Sequence, residues 1–312
     1  MTGKAAGGTA TPGNATAERN ATAERDDRDA KGSEGGSGLH VTRDHRGVVT
    51  LRLDRPDARN ALGPHAMDAL HEAARGLATD ASARVVVLRG AGAMFCAGGD
   101  LTWMRAQIDA SPGERAHEAR RLAHMLGALD RLPQAVIGAV HGGAFGGGVG
   151  LMSVCDACIA AEGTRFGLTE TRLGLIAATI GSYVAARIGP GAARRLMLSG
   201  ARFDTDEAWR VGLVARVVPG AELDGAVEAL VAEHLRAAPG AIAATKGMLR
   251  DLAAPVDEAA TAGANGGTSE GASEARIEAS IARLVARWED AEAREGIDAF
   301  FARRPANWSD EE

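Results

Sequence analysis

The chain has 312 residues, 46% of them hydrophobic, enough for one large domain or two small ones with a substantial core. Its 35 basic and 41 acidic residues leave a net charge of −6, with no dense basic patch carrying interleaved aromatics, so nucleic acid is not an expected partner. No apolar run reaches membrane length, and the N-terminal residues lack the apolar core of a secretory signal, so a cytoplasmic location is expected.

Residues 1–38 are rich in Gly, Ala, Thr, Asp and Glu and nearly devoid of large apolar side chains. Such a segment cannot bury enough surface to offset its ordering entropy, and it is expected to be a disordered tail. His40–Thr42 and Val48–Leu53 read as a short hairpin. Pro64–Leu77 places Met67, Leu70, Ala74 and Leu77 at helical period, and Val85–Leu88 is a β-branched run that reads as a buried strand. Ala93–Met104 then runs through Gly98-Gly99 into Asp100-Leu101-Thr102-Trp103-Met104, a glycine turn opening a helix.

The pattern recurs. Pro112–Leu132 is helical, with Leu122, Met125, Leu126 and Leu129 on one face. The apolar run Ala135–Val140 follows and ends in His141-Gly142-Gly143-Ala144-Phe145-Gly146-Gly147-Gly148. Beyond it lie a helix-like segment, a strand at Cys158–Ala161, and the sequence Phe166-Gly167-Leu168-Thr169-Glu170. Helices are predicted over Gly181–Ile188, Gly191–Ser199, Asp204–Trp209, Glu222–Ala237, Ala241–Leu252 and Ser273–Arg294, with a late strand at Ala215–Val218. Residues 255–274 read as a flexible insertion. The expected domains are thus 1–38, 39–254, 255–274 and 275–312.

The glycine cluster has several readings. Its spacing fits neither G-x-G-x-x-G nor a phosphate loop, because Val149 and Gly150 stand where Lys and Ser/Thr are needed. Glycines let backbone N–H groups approach a ligand, and a helix N-terminus carries unpaired donors suited to a developing oxyanion. Two such turns beside one carboxylate, Glu170, suit proton chemistry next to a polarised carbonyl. Close helix packing is the structural alternative. Cys96, Cys155 and Cys158 are few and odd in number, and Cys155-x-x-Cys158 leads into an apolar run without a second pair. Packed core cysteines are expected rather than a metal or redox site.

Taken together, these segments resemble the crotonase (enoyl-CoA hydratase/isomerase) superfamily. The resemblance extends to Leu53-Asp54-Arg55-Pro56 with Arg59-Asn60-Ala61-Leu62, to Leu173-Gly174-Leu175, and to Ala299–Pro305. It implies an α/β fold, a ββα-spiral core with a helical C-terminal segment, acting on acyl-CoA without a further cofactor. It also implies a homotrimer or dimer of trimers. By position, the thioester oxygen falls to the backbone N–H groups of Gly99 and Gly147, and proton transfer to Glu170. Substrate contacts fall to Arg59, Ala97, Asp100, Trp103, Met104, Gly146, Thr169 and Arg172.

One position departs from the pattern. Hydratases of the best-known type carry a second glutamate where this chain has Gly150. Three solutions remain open: Glu170 working alone with a neutral helper such as Thr169, Thr179 or Ser182, a carboxylate supplied by the substrate, or double-bond isomerisation without water. Phe145–Leu151, Thr169–Ile176 and Asp100–Met104 resemble the bacterial methylglutaconyl-CoA and carboxygeranoyl-CoA hydratases, which implies a branched or carboxylated 2-enoyl-CoA and a place in leucine or terpene breakdown. Arg172, Arg105 and His141 are the candidate cations for a distal carboxylate. An isomerase or a catalytically silent acyl-CoA-binding protein are the alternatives.

Overall fold

The computed structural model describes residues 37–253 and 269–309. Most of the expected tail and insertion lies outside the described residues. The chain forms a mixed α/β fold with a helical C-terminal segment, as expected. Its main sheet has six strands in the order β1-β2-β3-β4-β6-β9. β1 (Leu39–Arg43) and β2 (Val48–Leu53) are the predicted antiparallel hairpin. β3 (Val85–Gly90), β4 (Ala135–Val140), β6 (Ala157–Ala161) and β9 (Arg216–Val218) continue it in parallel. β4 is buried along its whole length, as a continuous apolar run in a parallel sheet covered on both faces should be.

Each face of that sheet has its own core. On one face, Leu51, Leu88, Val136 and Val140 meet Met67 and Leu70 of α1 (Pro64–Ala78) and Met125, Leu126 and Leu129 of α3 (Pro112–Asp130). On the other, Val85, Val87, Ile137 and Ile159 meet Val227 and Val231 of α7 (Leu223–Leu235). α3 starts with a full capping box, Ser111 and Glu114 each satisfying the other's backbone N–H.

A second sheet was not visible in the sequence. β5 (Gly143–Phe145), β7 (Arg165–Gly167) and β8 (Arg202–Phe203) pair in that order, beside the short helix α4 (Gly147–Ser153). α2 (Leu101–Asp109) lies in the chain between β3 and α3. α5 (Ala178–Ser199) joins the two predicted helices across a break at Gly189, and α6 (Thr205–Arg210) follows, capped by Asp204.

The C-terminal segment comprises α8 (Pro239–Ala253), α9 (Ser269–Trp288) and α10 (Ala291–Ala302). The predicted single helix Ser273–Arg294 is corrected in two ways. It begins at Ser269, inside the expected insertion, and it breaks before Asp290, whose side chain caps α10 at the Glu292 N–H. Lys246 of α8 is nearly buried; its Nζ donates to Asp156 Oδ2 at 2.6 Å and to the Gln134 carbonyl at 2.8 Å. That contact ties the segment to the base of β4, with Lys246 nearly buried and Asp156 still partly open to solvent. Among the described residues, no helix is long and apolar enough to cross a membrane.

Candidate active site

The two glycine turns are stitched side by side. Cys96 N donates to Gly143 O at 3.1 Å, Phe145 N donates to Cys96 O at 3.1 Å, and Phe95 N donates to His141 O at 2.9 Å. Gly98 has φ +97, and a Cβ there would lie 2.7 Å from the Phe145 carbonyl oxygen, so only glycine lets the turns close. Asn60 locks the loop that leads into the first turn. Its Nδ2 donates to the carbonyls of Ala91 and Met94 at 2.8 and 2.7 Å, and its Oδ1 accepts from Arg55 N.

Leu62 fixes where the two candidate donors point. Its N–H donates to Gly98 O at 2.7 Å and its carbonyl accepts from Asp100 N at 3.0 Å, a parallel bridge opposite Gly99. Leu62 spends both backbone groups on the residues flanking Gly99, so the N–H of Gly99 faces away from it. A Cβ on Gly147 would lie 3.0 Å from Leu62 Cδ1, which brings the second turn against the same side chain. Gly147 is the first residue of α4, where an N–H has no acceptor within the helix.

Glu170 sits over this N-terminus. It opens the 3-10 turn Glu170–Leu173, and its Oε1 lies 3.0 Å from where a Cβ on Gly146 would be. Gly146 has φ +47, a conformation that glycine adopts without penalty, and its lack of a side chain makes room for the carboxyl group. Oε2 of Glu170 is buried without a hydrogen-bond partner. Burial pushes the carboxyl above the ordinary glutamate value, opposed only by its own backbone N–H.

The Gly150 position is filled from outside. A Cβ there would lie 2.6 Å from Ile180 Cγ2 and 3.1 Å from Ile180 Cβ, and Ile180 is buried. The sequence showed the glycine; the isoleucine of α5 that occupies the space beside it was not foreseen.

The remaining predicted residues divide. Trp103 and Met104 join the site: a Cβ on Gly99 would lie 3.1 Å from Met104 Sδ and 3.5 Å from Trp103 Cζ3. Asp100 caps α2, accepting from Thr102 N and Trp103 N, and pairs with Arg55 Nη1 at 3.0 Å. Burial pushes its carboxyl up, but the Trp103 N–H, the Arg55 guanidinium and the Thr102 N–H outweigh burial and hold it below the usual range. Arg59 is exposed, and its carbonyl accepts from Ala97 N at 3.0 Å, so these two lie together on one rim. Thr169 precedes Glu170 and is half-buried.

Arg172 is not brought into this group. Its side chain lies along the end of α5, with Nε 3.4 Å from the Ser199 carbonyl. His141 is likewise occupied, with Nε2 2.8 Å from Gly92 O. Cys155 and Cys158 are buried and donate to the Leu151 and Met152 carbonyls, consistent with packed core residues. Burial pushes the Cys96 thiol up to about 12.

Residues 43–311 match the family model described as enoyl-CoA hydratase/isomerase. The human mitochondrial Delta(3,5)-Delta(2,4)-dienoyl-CoA isomerase is 35% identical over 221 residues, 67% of each chain. An enoyl-CoA hydratase structure from Mycobacterium smegmatis superposes with a TM-score of 0.77 at 33% identity, covering 87% of this chain and 98% of the other. Pseudomonas aeruginosa AtuE gives the same TM-score at 34% identity, covering 87% and 99%.

Proposed function

The chain belongs to the enoyl-CoA hydratase/isomerase family, and on that premise we propose that it hydrates a 2-enoyl-CoA thioester with one protein carboxylate, Glu170. The observation that carries this reading is the pair Gly150 and Ile180. The place of a second carboxylate holds buried methyl groups, so proton movement falls to Glu170, the one carboxyl among the described residues with a buried oxygen lacking a hydrogen-bond partner.

In this scheme the thioester oxygen accepts hydrogen bonds from the Gly99 and Gly147 N–H groups. Loss of one such donor costs about 3–4 kcal/mol of transition-state stabilisation. Water oxygen bonds to C3, a water proton passes to Glu170, and C2 takes a proton from the same carboxyl. The raised proton affinity of Glu170 suits a group that must both accept and return a proton. No cofactor is needed beyond the coenzyme A of the substrate.

The acyl group we propose is branched or carboxylated, of the methylglutaconyl-CoA type. Supporting this are the resemblances of Asp100–Met104 and Thr169–Ile176 and the wall formed by Trp103 and Met104 at Gly99. With Arg172 and His141 engaged elsewhere, Arg105 is the cation we assign to a distal carboxylate; it is exposed on α2, with no ion pair among the described residues. Assembly as a homotrimer or dimer of trimers is part of the proposal. The exposed apolar side chains Leu284, Trp288, Phe300 and Phe301 on the C-terminal helices are the surfaces it would cover, and light scattering after gel filtration tests it.

A second reading is double-bond isomerisation, favoured by the same filled Gly150 position, since moving a proton between C2 and C4 needs one carboxylate and no water. Incubation with crotonyl-CoA, 3-methylglutaconyl-CoA and a 3-enoyl-CoA in oxygen-18 water separates the two. Label gained at C3 and lost in Glu170→Gln is the expected result. Conversion of the 3-enoyl substrate without label makes the enzyme an isomerase, and silence on all three overturns both readings.

A further inference from the structure

α2 carries the wall of the candidate site but buries none of its own residues. Leu101 and Ile108 are 81% and 72% exposed. A nine-residue helix is too short to hold itself together in water, so its placement depends on its attachments. Beyond the Trp103 ring, which packs in part against the core, those attachments are polar. Asp100 and Arg55 hold its start, and Arg115 of α3 donates to the Gln107 and Ile108 carbonyls at its end, at 2.8 and 2.7 Å.

Among the described residues, the one side-chain hydrogen bond from its middle is made by Trp103. The indole Nε1–H donates to Glu118 Oε2 on α3 at 2.9 Å, while the opposite edge of the ring, Cζ3, abuts Gly99. Glu118 is itself held. Its side chain is 16% exposed, and its other oxygen pairs at 3.2 Å with Arg121, which also pairs with Asp68 of α1. A rigid ring gripped at one edge has its other edge fixed.

We propose that Glu118 is a positioning residue that sets acyl-group selectivity by fixing the Trp103 indole against the Gly99 turn. It touches no substrate; it determines how much room the acyl group finds where it leaves the thioester carbonyl. The inference rests on the acyl-CoA reading of this site. Without the carboxylate acceptor the indole loses its anchor, and the wall yields to bulkier groups. A wall contact of one methylene is worth about 10–200-fold in discrimination, so loss of the anchor is expected to cut selectivity about tenfold.

The test compares wild type, Glu118→Leu, Glu118→Gln, Trp103→Phe and the Glu118→Leu/Trp103→Phe pair, as full chains. Dissociation constants for butyryl-CoA and 3-methylbutyryl-CoA are measured by calorimetry, and kcat and KM for crotonyl-CoA and 3-methylglutaconyl-CoA beside them. The expected result is a tenfold narrower ratio between the two acyl groups in Glu118→Leu, with Glu118→Gln, which keeps an acceptor oxygen, near wild type. Trp103→Phe lacks the N–H, so adding Glu118→Leu to it should change the ratio no further. An unchanged ratio in Glu118→Leu, or additive effects in the pair, overturns the proposal. If Glu118→Leu does not fold, Glu118→Ala takes its place: a ratio narrowed in Glu118→Ala but not in Glu118→Gln supports the proposal, and equal ratios in both overturn it. Absence of turnover in wild type with intact acyl-CoA binding overturns the hydration reading alone, because the binding ratios still judge Glu118.

Discussion

Glu170 and Gly150 address α4 one turn apart, and they are built in opposite ways. Glu170 sets its carboxyl against the bare backbone of Gly146 and leaves Oε2 buried without a partner. Gly150 donates its N–H to Gly146 O at 3.1 Å like any helical residue, and Ile180 closes the space that a side chain would need. A buried polar atom left unpaired costs stability, whereas a glycine packed under an isoleucine does not. The fold therefore tolerates strain at one position and relieves it at the other, and the strained position is the one to which we assign the chemistry.

Removing the strained group should have the largest effect. Glu170→Gln is nearly isosteric and keeps the turn, but it cannot exchange a proton. A general acid/base contributes typically about 10²–10⁴-fold, and with no second carboxylate to substitute, kcat should fall toward the upper end of that range while KM stays close to wild type. Steady-state kinetics checks this. A loss below tenfold would mean that another group moves the proton. The wild-type rate should also decline as pH falls through the raised Glu170 value, and that limb should vanish in the variant.

The next effect comes from forcing the two positions to be alike. Gly150→Glu puts a Cβ into Ile180, and overpacking a rigid interior costs typically about 1–3 kcal/mol, with an added penalty for a carboxylate placed among methyl groups. The denaturation midpoint should fall clearly. Adding Ile180→Ala opens the space and should return part of that loss, although Ile180→Ala alone should destabilise by about 2–5 kcal/mol. The sign of the coupling between the two substitutions is the measurement. A positive recovery shows that Ile180 is what excludes a carboxylate from Gly150.

The same contrast marks what the sequence could reveal. β-branched and apolar runs exposed β2, β3 and β4, and both glycine turns were found because each follows such a run. Asp156 and Glu162 also follow the second turn, and Glu170 stands out from them only through the resemblance of the Phe166–Glu170 segment to the family pattern. Strands β5, β7 and β8, of three, three and two residues, are too short to show a period, and their pairing is set by distant neighbours. Lys246 meeting Asp156, Trp103 meeting Glu118, and Ile180 covering Gly150 are side-chain contacts between helices or loops, and nothing local in the sequence announces them. Asn60 carried a visible hint: it stands in the Arg59–Leu62 motif, yet its role as a clamp on two carbonyls needed the loops in place. Arg172 illustrates the reverse, a charge two residues from Glu170 in sequence whose side chain runs to the end of a different helix.

The smallest effect, and the one that tests the strain itself, is on stability against pH. Burial raises the proton affinity of Glu170 in the folded state above its unfolded value. Between those two values the folded chain holds more protons than the unfolded one, so stability is lost as pH rises through that window. Above it the folded state carries an ill-solvated carboxylate; below the unfolded value the cost is gone. Glu170→Gln never ionises, so at neutral pH it should be more stable than wild type. The advantage should shrink as pH falls and disappear once the unfolded carboxyl is also protonated. Chemical denaturation of both proteins at several pH values reads this difference directly, with all other titrating groups shared. A variant less stable than wild type at neutral pH would mean that the carboxylate is satisfied in solution, and the contrast between Glu170 and Gly150 would then be one of shape alone.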